Sequence, residues 1–270
     1  MRNYYYVCVL ACIFLVSVGN CYSETIPKAT SQAVFIDLSS VLSKNRPLVW
    51  LFAGDSITQG AVHTHGWRDY TELFKERLYE IERKQDVVIN TAISGFNIRR
   101  LNSRFDERIG RFRPDVLILM LGTNDAVSGS ENLKPFSEQY TEVIKKARQA
   151  GITLIVVQTT IPLVPLDIKR VAGSDTSAQK SDMQRLESRL NFLPAYVDAT
   201  RSVASNEKVP LIDHWAAWPG PISDQLTLMN DAIHPNEYGH RWMAETLFRR
   251  CGLWDESSRV CRLVSTTKTK

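Results

Sequence analysis

Residues 115–122 read DVLILMLG, a run that is apolar in both of the registers a strand alternates between its two faces. Such a strand must be covered on both sides, as interior strands of a parallel sheet are. Four further short runs behave similarly: Leu48 to Ala53, Val87 to Thr91, ITLIVVQTT at 152–160 and VPLID at 209–213. Between them lie segments with helical spacing. Trp67 to Arg83 carries Leu73, Leu78 and Ile81 near one face, and Ile98 to Phe112 is arginine-rich and stopped by Pro114. Leu133 to Ala150 ends at Gly151, Met183 to Asn206 follows, and Asn236 to Arg250 closes the series. Strand and helix alternating five times predict an α/β fold, a parallel sheet with helices on both faces. Right-handed crossovers then bring every strand-to-helix loop to one edge of the sheet.

The 270 residues, 44% of them hydrophobic, suffice for one substantial core. A net charge of +4, with basic residues scattered apart from the Lys268–Thr269–Lys270 tail, argues against nucleic acid as a partner. Arg2 followed by VCVLACIFLVSVG at 7–19 reads as the charged and apolar regions of a secretory signal. Residues 1–23 are therefore expected to be a signal peptide, cleaved before Asn20 or as late as Ser23. The run is shorter than the ~20 residues of a membrane span, so no stable span is expected after cleavage. The mature protein is expected to be secreted or periplasmic. Cys21 leaves a lipid anchor open, although Asn20 before it is a poor context for attachment.

Residues 24–47 read as a polar linker and a short helix within FIDLSSVLSKN. Of five cysteines, Cys8 and Cys12 lie in the leader and Cys21 near its end. Cys251 and Cys261, in the extension 251–270, are expected to form a small disulfide in an oxidising compartment. Two unrelated thiols, or pairing through Cys21, are the alternatives.

The loops carry the chemistry. After the first strand comes GDSITQG at 54–60, after the second AISGFN at 92–97, and after the third GTND at 122–125. The fifth is followed by NDAIHPNEYGH at 230–240. The fourth leads into IPLVPLDIKRVAGSDTSAQK at 161–180, a candidate lid or a plain solvated insertion. Gly54 frees the backbone before Ser56, whose hydroxyl needs a neighbouring base to act as a nucleophile. Among five histidines His234 stands out: Pro235 keeps it out of a helix, and Asp231 three residues earlier can curl back to its Nδ1–H. Donors for a developing oxyanion are available from the Ser56 amide, the Gly95 amide and the Asn124 side chain. Read singly, Gly95 and Asn124 are ordinary turn or cap residues.

Together, GDSITQG, SGFN, GTND and DAIHP resemble the GDSL, or SGNH, hydrolases in order and placement, over about Leu48 to Arg250. The first block reads Gly-Asp-Ser-Ile, with Ile57 in place of leucine. The resemblance implies a hydrolase domain over 48–250 with a flavodoxin-like three-layer α/β/α sandwich and a five-stranded parallel sheet. It implies Ser56 as nucleophile, His234 as general base and acid oriented by Asp231, and an oxyanion hole of Ser56, Gly95 and Asn124. No metal or organic cofactor is expected. The implied activity is hydrolysis of carboxylic esters through an acyl-enzyme. An O-acetyl esterase acting on carbohydrate is expected first, with a lipase, lysophospholipase or thioesterase as the alternative and a non-catalytic glycan-binding module as another class.

HTHGWRDY follows the nucleophile loop. His63 and His65 have metal-like His-x-His spacing but no evident carboxylate or cysteine partner; with Trp67 they read better as lining the mouth of the site. Trp215 and Trp218 either line it too or pack in the core, and His240 reads as structural. Asp55 and Asp125 are expected to brace their loops.

Overall fold

The computed structural model describes residues 36–165, 177–220 and 227–265. The expected signal peptide, Cys8, Cys12, Cys21 and residues 166–176 of the candidate lid lie outside them. The five apolar runs become β1 Val49–Gly54, β2 Val87–Asn90, β3 Val116–Met120, β4 Leu154–Gln158 and β5 Leu211–Ile212. All neighbours pair in parallel, in the order β2-β1-β3-β4-β5.

Alternation along the strands divides the core between the faces. Trp50, Phe52, Val116, Ile118 and Met120 meet helices Tyr70–Glu80 and Glu237–Arg250 on one side. Leu51, Ala53, Leu117, Leu119 and Val157 meet helices Leu133–Gln149 and Ser177–Asn206 on the other. Leu133–Gln149 shows why it docks: Phe136, Tyr140, Val143, Ile144 and Ala147 form one buried stripe. The result is a flavodoxin-like three-layer α/β/α sandwich. Its chain reverses direction across the sheet between β1 and β3, where such folds open a crevice at the strands' carboxyl ends.

Three expectations need correction. The helix expected from Trp67 starts only at Tyr70, because Asp69 closes a capping box: its carboxylate accepts from the Thr71 and Glu72 amides while Glu72 accepts from the Asp69 amide. The helix expected over Ile98 to Phe112 breaks into Ile98–Ser103, Phe105–Arg108 and a final 3-10 turn at Gly110–Phe112. Ser103 Oγ donates to the Arg100 carbonyl at 3.0 Å, and the Arg104 amide bonds instead to Leu101 O at 3.1 Å.

Cys251 and Cys261 are free buried thiols, not a disulfide. Cys261 Sγ faces the Leu253 carbonyl at 3.7 Å, and burial pushes the Cys251 thiol up to about 12. The C-terminal turn is fastened differently. Arg77 Nε donates to Leu253 O at 2.7 Å, and Glu80 accepts from Ser258 Oγ and from the Arg259 and Val260 amides.

Candidate active site

β1 delivers Ser56 to the crevice by an abrupt change of geometry. Asp55 caps a single helical turn, Ser56–Gln59, its Oδ1 accepting from the Ile57 amide at 3.0 Å. Gly54 is required at the bend because a Cβ there would stand 2.7 Å from the Met120 carbonyl and 2.6 Å from Thr58 Oγ1. Ser56 opens the turn, so its amide has no carbonyl of that turn to bond.

The loop after β5 is shaped around one carboxylate. Asp231 Oδ1 accepts from the Ile233 and His234 amides at 2.8 and 2.9 Å, curling the chain back on itself. The Asn230 amide donates to the His234 carbonyl at 2.8 Å, and Asn236 then caps helix Glu237–Arg250. This fixes the His234 ring between two partners. Its Nδ1 lies 2.8 and 3.0 Å from the Asp231 carboxylate oxygens, and its Nε2 lies 2.9 Å from Ser56 Oγ. With the Nδ1–H donated to Asp231, Nε2 is left to accept the serine proton. Burial alone would raise Asp231, yet the hydrogen bonds from His234 and the two amides hold its carboxyl down at about 2.

The loops after β2 and β3 close the other side. The Ser94 amide donates to Gln59 Oε1 at 2.9 Å, tying the Gly95 turn to the serine turn. Gly95 has φ +78°, and nothing stands within 4 Å of where its Cβ would lie. Asn124 Nδ2 donates to the Phe96 carbonyl at 2.9 Å, and its Oδ1 accepts from Arg189 Nη2 at 2.9 Å. Asp125 Oδ1 accepts from the Ile98 amide at 3.0 Å, so it braces the β2 loop as expected, just as Asp55 braces the serine turn. Both carboxyls are deeply buried, each with an oxygen that has no hydrogen-bond partner. Burial drives Asp55 up to about 6 and Asp125 up to about 7.

The structure thus brings Ser56, Asp231 and His234 into one hydrogen-bonded line, with the Gly95 and Asn124 loops joined to it. His63, expected at the mouth of the site, lies deeper, against the His234 ring. Its ring stacks on His234 with centroids 3.5 Å apart and planes 2° from parallel, and its Nδ1 lies 3.8 Å from Asp231 Oδ2. Burial first, and the neighbouring His234 second, lower its pKa, while Asp231 acts in the opposite direction. His65 points elsewhere, to Asn230 Oδ1 at 2.7 Å, so the His-x-His pair does not act as one.

His63, Asp231 and His234 do place three metal-capable atoms within 4.8 Å of one another. Ring-nitrogen lone pairs lie in the ring planes, however, and two parallel rings aim them side by side rather than at one point. Trp67 is 58% exposed, whereas Trp218 is buried in the core and Trp215 packs partly buried against the other face. His240 is fully buried, accepts from the Tyr70 amide at 3.4 Å and is lowered by burial to about 3, which suits its structural reading. Arg189 had no signal in the sequence: it sits within a long helix, and nothing in the spacing of that helix points to Asn124.

A family model described as the GDSL-like lipase/acylhydrolase family matches residues 52–242. The chain belongs to that family. As a GDSL-type protein it is a carboxylic ester hydrolase, and the match contains Ser56, Gly95, Asn124, Asp231 and His234. Three curated relatives are similar over most of the chain. An uncharacterized lipoprotein of Bacillus subtilis is 28% identical over 195 residues, 68% of this chain and 79% of its own length. An arylesterase of Vibrio mimicus is 23% identical over 216 residues, 80% of this chain and 92% of its own. An acetylxylan esterase of Geobacillus stearothermophilus is 25% identical over 213 residues, 75% of this chain and 93% of its own. Among solved structures, the acetyl xylan esterase AlAXEase superimposes with TM-score 0.56 at 22% identity, over 75% of this chain and 98% of that one.

Proposed function

We propose that this GDSL-type hydrolase is an exported serine esterase that removes small acyl groups, acetyl first, from carbohydrate. The observation that carries the mechanism is the line Ser56 Oγ–His234 Nε2–Nδ1–Asp231, at 2.9 and 2.8 Å. His234 takes the Ser56 proton as the hydroxyl attacks the ester carbonyl, and Asp231 stabilises the imidazolium that forms. The Ser56 and Gly95 amides and Asn124 Nδ2 receive the developing oxyanion. His234 returns the proton to the leaving alcohol. It then activates a water that frees the acid from Ser56.

Two lines support a small acyl group on a polar substrate. The side chains that the site's loops bring to the Ser56–His234 pair include His63, stacked on His234, and Asn124, bonded to the Gly95 loop; both are polar, whereas long acyl chains need an apolar groove. The acetylxylan esterase relative spans nearly its whole length on this chain. Export rests on the leader-like residues 1–23 and on the lipoprotein relative. No described helix is long and apolar enough to cross a membrane.

Turnover of p-nitrophenyl acetate, p-nitrophenyl octanoate and an acetylated xylo-oligosaccharide, by the wild type and by Ser56→Ala, tests this reading. Acetate and acetylated sugar are expected to be preferred over octanoate by roughly tenfold or more. A preference for octanoate transfers the protein to the lipase reading. N-terminal sequencing of the mature protein tests export, with a start between Asn20 and Glu24 expected.

A further inference from the structure

We propose that Arg189 is a positioning residue for the oxyanion hole, acting through Asn124; this rests on the donor role given to Asn124 above. Arg189 projects from helix Ser177–Asn206 and is buried against the GTND loop. Its Nη2 donates to Asn124 Oδ1 at 2.9 Å and its Nε to the Thr123 carbonyl at 3.1 Å. One residue earlier, Ser188 Oγ reaches the Ala126 and Val127 carbonyls at 3.2 and 3.0 Å. Two successive side chains of one helix thus grip the whole loop that carries Asn124.

An amide side chain has two ends of similar shape, and only its NH2 end can stabilise an oxyanion. The guanidinium and the Phe96 carbonyl together decide which end faces the site. The guanidinium carries donors alone, so it takes the Asn124 oxygen and turns Nδ2 away from itself. One Nδ2 hydrogen goes to the Phe96 carbonyl at 2.9 Å, which leaves the second for the substrate. A positive charge on Oδ1 also draws density from the amide and makes the remaining N–H a stronger donor. The fork explains why arginine fits this position. Lysine would reach one of the two oxygens, and a neutral residue would leave the Phe96 carbonyl alone to hold the amide's orientation.

The test is a double-mutant cycle on p-nitrophenyl acetate, with thermal melts run on every variant. Asn124→Ala is expected to lower kcat roughly 10²- to 10³-fold, as loss of one oxyanion donor does. Arg189→Met is expected to lower kcat by about tenfold or more with KM little changed, since the donor matters in the transition state. In the double variant Arg189→Met is expected to add nothing beyond Asn124→Ala. Arg189→Lys, for use where Arg189→Met does not fold, should fall between wild type and Asn124→Ala and be equally silent in the Asn124→Ala background. The inference is overturned if Arg189→Met leaves kcat unchanged, or costs the same factor with and without Asn124. In that event a strong Asn124→Ala effect leaves the oxyanion hole standing, whereas a silent Asn124→Ala overturns both.

Discussion

Asp55 caps the Ser56 turn and Asp231 holds the His234 ring; the two carry the same carboxyl group, yet their surroundings drive them apart. Asp55 is buried beneath the serine turn with one amide donor, and burial raises it to about 6. Asp231 sits half-open to water, accepts from the His234 ring and two amides, and is held at about 2. On the proposed mechanism, the carboxylate that must remain charged beside an imidazolium is placed where donors and water solvate the charge. One that only shapes a turn is sealed into the fold at the expense of its ionisation. Asp125 extends the contrast: burial, with repulsion from Asp55 as a lesser cause, takes it to about 7.

Removing the charge without changing the shape should separate the two carboxylates most sharply. Asp231→Asn is expected to lower kcat by roughly 10³- to 10⁴-fold, because the wrong His234 tautomer then faces Ser56. Asp55→Asn, which can still cap the turn, is expected to cost about tenfold at most. Steady-state kinetics on a short aryl ester check both, and equal losses would erase the distinction. His63→Ala should come next, with a loss of up to about tenfold from an aromatic stack worth ~1 kcal/mol. His63→Phe, which keeps the stack, should recover most of it.

The buried side of the comparison is read in stability. Asp125 is raised from 3.8 to about 7, so its contribution to folding is full below pH 3.8 and is lost as the pH rises through about 7. Thermal melts should therefore show the stability of wild type relative to Asp125→Asn falling as the pH rises from about 4 to about 7 and levelling off above that, while buried His214 and His240, lowered to about 4 and about 3, act in the opposite sense in both proteins. The smallest effect is expected away from the site. A reducing agent should leave the melting temperature unchanged, since Cys251 and Cys261 are not bridged and the C-terminal turn is held by Arg77 and Glu80.

Much of this was legible in the sequence because the signals are local. A strand covered on both faces announces itself as DVLILMLG, and Asp-x-x-His-Pro encodes a bent loop within five residues. Five separate runs place the sheet, and four loop motifs place Ser56, Gly95, Asn124, Asp231 and His234 along its edge. What escaped depends on where a side chain goes after the chain has folded. His63 was visible as half of a His-x-His pair, but only the tertiary structure lays it on His234. Arg189 meets Asn124 from another helix, and no periodicity encodes that meeting. The break near Ser103 turned on one hydroxyl taking a backbone carbonyl, which helical spacing does not report. The cysteine spacing suggested a bridge, while the fold turned Cys261 toward the Leu253 carbonyl.

On the proposed mechanism, Ser56 is made reactive by His234 alone among the described histidines. Labelling with a fluorophosphonate, followed by peptide mass analysis, tests it most directly. One phosphonylated residue, Ser56, is expected, with labelling lost in His234→Ala and retained in His240→Gln. A label on another residue, or an undiminished rate in His234→Ala, would contradict it.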